Sequence, residues 1–254
     1  MSILSGQKNI QGATGEFAAA EGVIRPFINA IPEIFNYPPC VNPVVPENGT
    51  YDWAFMKRHV LQAVTTLNGG NLPDEALSKA EERGLLWLAN FNVAPADDPL
   101  GLRTRMAAHA GMTQPRYDGF TSDELFFGRT TIDHYTRALW GLANPENRRI
   151  YTWIVGKPGI ASLHTDFMSA CLNASRGRGR LLYEAYCHPQ EDERAAAAYL
   201  DNMIAETLRR FNAYLPGANA GSGVIFGNFN QLPVLSLEHN PAVDYKVFLD
   251  MQVN

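Results

Sequence analysis

Near Arg149 the sequence changes texture, and that change limits the architectures open to it. Before it, apolar residues recur at helical spacing. Asp52 can cap a helix running to about Leu67, with Trp53, Met56, Val60, Val64 and Leu67 near one face. A second helix is expected from Pro73-Asp74 to about Phe91, carrying Leu77, Leu85 and Leu88, and a third over 132–142. After Arg149 the runs are short, β-branched and aromatic. IYTWIV at 150–155 closes on Gly156-Lys157-Pro158-Gly159 and reads as strand then turn; RLLYEAY at 180–186 is a second strand candidate, with a helix as the alternative. The clearest helix spans 190–212. Glu191, Asp192 and Glu193 open it and Arg209 and Arg210 close it, as the helix dipole prefers, with Leu200, Met203, Ile204, Leu208 and Phe211 as its apolar stripe. GVIFGNF, PVLSL and YKVFLDMQV then follow as strand-like runs. Helices first and strands later is the order of an α+β chain, with strands most easily closed as a small sandwich or barrel. A single domain is expected over 1–254: residues 1–130 as a mainly helical elaboration, with a proline-rich connector at 36–50, and 131–254 as the β core.

Composition removes several function classes. A 46% hydrophobic share excludes a disordered chain. No apolar run approaches the ~18–20 residues that span a bilayer, and the N-terminus lacks a basic region followed by an apolar one, so neither a membrane span nor a secretory leader is expected. A net charge of −5 argues against general nucleic-acid binding. Cys40, Cys171 and Cys187 are odd in number and widely spaced, which fits reduced, buried thiols and a cytoplasmic location. Trp53, Trp87 and Trp140 fall on apolar helical faces and read as core, and His188, before a proline, as the end of a strand.

The most suggestive chemical grouping is His164-Thr165-Asp166. In an extended segment, positions i and i+2 point the same way, so an imidazole and a carboxylate reach a common point. That is two thirds of the 2-His-1-carboxylate set that holds non-haem Fe(II). Around it, Trp153-Ile154, Gly156 to Gly159, Leu163-His164-Thr165-Asp166, the Arg176-Gly177-Arg178-Gly179-Arg180 run and Leu181-Leu182-Tyr183 follow in an order that resembles the cupin-like, Jumonji C-type Fe(II)/2-oxoglutarate dioxygenases. Leu215-Pro216-Gly217 and Val224-Ile225-Phe226 resemble that family's approach to its second metal-binding histidine. The resemblance covers about 130–254. It implies a C-terminal double-stranded β-helix, Fe(II) and 2-oxoglutarate as cofactors, His164 and Asp166 as catalytic metal ligands, and a small-molecule substrate. A homodimer paired through terminal helices also falls within what it implies.

The chain also departs from that pattern. No residue from Gly227 to Leu235 is a histidine, which leaves His239 as the nearest third ligand. The lysine that pairs with 2-oxoglutarate falls on Gly179, leaving Arg178 or Arg180 to take the carboxylate. Ala218 stands where an aspartate is expected after Gly217. Two other readings therefore stay open: a cupin-like protein that binds a small molecule or acts as a scaffold, and a lyase, isomerase or cyclase that does not use 2-oxoglutarate.

Overall fold

The computed structural model describes residues 35–36, 65–69, 84–94, 97–125, 129–155, 165–185, 188, 190–225 and 247. Its frame is a seven-stranded sheet. The strands are β1 (Phe35–Asn36), β2 (Thr66–Asn68), β3 (Leu86–Asn92), β4 (Gly119–Leu125), β5 (Arg149–Ile154), β6 (Arg180–Glu184) and β7 (Ser222–Ile225). They lie side by side in sequence order. Every pairing is parallel, and the sheet curls into a half-barrel.

Parallel neighbours need a crossover, and the sequence supplies helices for it. Between β3 and β4 come α1 (Pro99–Ala108) and the short α2 (Ala110–Thr113); between β4 and β5 comes α3 (Arg129–Trp140), and between β5 and β6 α4 (Thr165–Asn173). Between β6 and β7 one long helix is built from α5 (Glu193–Leu200), a π-helical segment over Asp201–Ala205 and α6 (Glu206–Tyr214), and a 3-10 turn, Ala218–Gly221, leads into β7. The starts are chemically marked. Asp98 caps α1 by accepting the Gly101 N–H at 2.6 Å, with Pro99 as first helical residue. Asp192 caps α5 by accepting the Ala195 N–H at 2.7 Å.

Alternation along each strand separates two faces. One carries Phe91, Phe120, Ile150, Ile154, Leu181 and Tyr183 into a core completed by Leu102 and Met106 of α1, Ile132 of α3, Phe167 and Met168 of α4 and Phe211 of α6. Tyr135 of α3 ties that core to the sheet: its hydroxyl lies 2.6 Å from the Ser122 hydroxyl and 3.0 Å from that of Thr152. The opposite, inner face carries Leu88, Tyr151, Trp153 and Leu182. A sheet buried on both sides explains why its strands are apolar on successive residues.

These findings correct the α+β expectation. A double-stranded β-helix is antiparallel, and this chain is a parallel α/β fold of alternating strands and helices. The region assigned to a helical elaboration contributes β1 to β4 to the same sheet as β5 to β7. Leu85 and Leu88 are not the end of a helix, because 86–92 is β3. The helix expected over 132–142, the strands at 150–155 and 180–186 and the helix at 190–212 are present within a few residues of those bounds. PVLSL and YKVFLDMQV lie almost wholly outside the described residues.

Candidate active site at the carboxyl-terminal rim

In a curled parallel sheet the carboxyl ends of the strands share one rim, where ligands are usually met. The inner face bears a line of polar side chains there. From β2, the Asn68 amide donates to Asn90 Oδ1 of β3 at 3.4 Å. The Asn90 amide in turn donates to Asp123 Oδ2 of β4 at 3.1 Å. On β5 the Trp153 indole N–H donates to Glu184 Oε2 of β6 at 2.7 Å. Two carboxylates on β4 and β6 thus flank Trp153, each held by a neutral N–H donor from the preceding strand.

Local irregularity aims the first of them. Ser122 pairs with Thr152 and Leu125 with Ile154, so β4 spends one residue more than β5 over that interval. This is a β-bulge, which bends a strand and redirects a side chain. It leaves Asp123 with the inner-face residues while Leu125 returns to the helix-side core. Asp123 is half-buried; Glu184 is 8% exposed. Trp153, at 2%, braces Glu184 rather than offering a stacking surface.

Other reactive groups are structural. Burial pushes the Cys171 thiol up to about 12, so it is no nucleophile at neutral pH. Burial likewise raises the Tyr135 phenol. A surface groove of about 380 Å³ beside α3 and α4 is lined by Trp140, Asn144, Asn173 and Arg176 but holds no carboxylate.

Of the residues singled out as iron ligands, only Asp166 is among the described residues. His164 and His239 lie outside the described residues. Asp166 sits in the first turn of α4, not on a strand, is exposed, and accepts the Trp140 indole N–H at 2.8 Å. Trp140 is itself 44% exposed, contrary to the core expectation. Arg180 is buried on the inner face of β6, and half-buried Arg178 lies in the turn before it. At Gly179 a Cβ would stand 2.4 Å from the Cys171 carbonyl oxygen, so any side chain there would force the backbone to shift. Among the described residues no three His, Cys, Asp or Glu side chains gather as a metal-binding group. None of their helices is long and apolar enough to cross a membrane. His188 is exposed, its ring 6.3 Å from that of Tyr199.

No protein-family model, curated protein or solved structure matches this chain. The rim must be read from its own chemistry. Sequence reasoning passed over Asp123 and Asn90, and took Trp153 and Glu184 as members of the strand-like runs IYTWIV and RLLYEAY.

Proposed function

We propose that the protein is a carbohydrate-active hydrolase that cleaves a glycosidic bond with Asp123 and Glu184 as its acid–base pair. The observation that carries this reading is the placement of the two carboxylates: one strand apart on either side of β5, on the inner face, at the carboxyl ends of a curled parallel sheet. Glycoside hydrolysis requires two carboxyl groups flanking the scissile bond, one to protonate the departing oxygen and one to act from the opposite side. Two strand spacings put the two carboxylate-bearing strands roughly 9–10 Å apart at the backbone, with Trp153 of β5 between them. Asn90 and Trp153 hold the pair in orientation, so little ordering remains to be done when substrate binds.

The Fe(II)/2-oxoglutarate reading of His164, Asp166 and His239 is supported by the sequence resemblance alone. It was inferred through a fold that this chain does not have, and no second observation brings it forward.

The test is release of reducing ends from a panel of aryl glycosides, oligosaccharides and polysaccharides by the full chain and by Asp123→Asn and Glu184→Gln. A substrate cleaved by the wild type should be cleaved about 10²–10⁴-fold more slowly by each variant, the share that a positioned acid or base supplies. Cleavage unaffected by both substitutions, or none across the panel, would sink the proposal.

A further inference from the structure

Where α3 and α4 end, a groove of about 380 Å³ lies between them. Its walls are braced. Asn144, in the loop after α3, donates its amide to the Arg148 and Ala174 carbonyls at 2.8 and 2.9 Å. Its Oδ1 accepts the Arg148 N–H at 2.8 Å, so one side chain closes its own turn and pins it to the end of α4. Leu139, Leu142 and Ala143 supply apolar lining. Ser175, just past α4, accepts the Ile150 N–H at 2.8 Å. The groove therefore stands near the start of β5, while Asp123 and Glu184 stand toward the far ends of β4 and β6.

Three side chains of this lining are not explained by packing. Trp140 closes α3 and is 44% exposed. Its one polar atom is already used, since Nε1 donates to Asp166 Oδ1 at 2.8 Å. The ring is held in place, and what it offers outward is carbon. Asn173 closes α4 and is only 4% exposed. Its amide nitrogen donates to the Ser169 carbonyl at 2.9 Å, which fixes the orientation of the amide and leaves Oδ1 as a buried acceptor without a donor. Such an atom is unfavourable until an N–H or O–H reaches it. Arg176 takes a left-handed conformation (φ 49°) that is uncommon for a residue with a Cβ, and its backbone N–H donates to the Asn173 carbonyl at 2.8 Å. That places an exposed guanidinium, with its five N–H donors, on the groove beside Asn173.

A fixed aromatic face, an unsatisfied acceptor and a set of donors around a braced groove suit a ligand with C–H faces and a hydroxyl rim. The volume falls within the ~300–1,000 Å³ of small-ligand sites. Two helices present their carboxyl ends here, and the negative end of the helix dipole disfavours an acid. We infer that this groove is a non-catalytic saccharide-binding site that takes a neutral sugar ring against Trp140, with its hydroxyls shared between Asn173 Oδ1 and Arg176. The site is separate from the carboxylate rim and binds sugar whether or not that rim cleaves it.

The experiment is isothermal titration calorimetry of the full chain with cellohexaose, xylohexaose, mannohexaose and maltohexaose, and with hexagalacturonic acid as the charged counterpart. The wild type should bind at least one neutral oligosaccharide, and Glu184→Gln should bind it with the same Kd. Trp140→Ala should weaken that binding at least about tenfold through the lost stacking surface. Asn173→Ala should weaken it about fivefold, the worth of one hydrogen bond. Arg176→Gln, a change at an exposed position, should weaken it by a similar factor and serves if the alanine variants do not fold. Binding without any cleavage would retire the acid–base pair and keep this site. A wild type that binds none of the neutral oligosaccharides overturns the site. So does binding that all three variants leave unchanged, which would put the sugar elsewhere, or a preference for hexagalacturonic acid.

Discussion

His109 works as a neutral ring. Its Nδ1 accepts the Gly111 N–H at 3.2 Å and so caps α2, which puts the ring proton on Nε2. The ring stands edge-on to Phe91 and Phe120 at 5.2 and 5.7 Å. Burial is the main reason its pKa lies below 6.5; Arg105 adds to the shift and a hydrogen bond to the Asn90 backbone opposes it. The unfolded chain therefore takes up a proton that the folded chain resists. This contribution to stability is full above pH 6.5 and is lost as the pH falls from 6.5 toward the folded value. Denaturant midpoints from pH 8 to pH 5 should show that decline, and His109→Gln should flatten it. An unchanged slope in the variant would assign the decline to other groups.

At the scale of elements, the join between α4 and β6 is tight. Gly179 lets the chain pass close to the Cys171 and Ile150 carbonyls: a Cβ would stand 2.4 and 3.1 Å from their oxygens. Both are backbone atoms fixed in a helix and a strand, so neither yields cheaply. Gly179→Ala should cost about 1–3 kcal/mol in urea unfolding, as overpacking does. A neutral result would mean that the turn can re-route.

The same elements explain what the sequence disclosed. IYTWI and RLLYE are dense in β-branched or large apolar residues and announced β5 and β6; the charged ends and apolar stripe of 190–212 announced the long helix. β3 was hidden because Leu85 and Leu88 sit at a spacing that fits a helix equally well. β4 was hidden because Thr121, Ser122 and Asp123 make it look like a loop, although Thr121 and Ser122 are fully buried and Ser122 is bonded by Tyr135 from α3. Without those two strands, the recurrence of strand and helix at roughly thirty residues, the length of a βαβ unit, was invisible. Asp123 and Glu184 then had no rim on which to meet. A lone carboxylate after an apolar run carries no signature of its own. For Asp166 only the local structure differs: H-x-D puts two donors on one side of a strand, but Asp166 lies in the first turn of α4.

Over the whole molecule, charge is sorted along the strands. On the inner face Arg149 and Arg180 stand at strand starts, and Asp123 and Glu184 at or near strand ends. Buried Tyr151, Trp153 and Leu182 lie between them. The helices on the other face carry the apolar core and leave the inner face to chemistry, a division that a parallel sheet buried on both sides permits. The central claim, that Asp123 and Glu184 act together at the carboxyl rim, is tested most directly by the pH dependence of kcat/KM. It should be measured on whichever glycoside the wild type cleaves. The wild type should give a bell-shaped profile, with Asp123→Asn and Glu184→Gln each losing a different limb of the bell. Two variants that keep the full bell, merely scaled down, would contradict the claim and leave both carboxylates with a structural role.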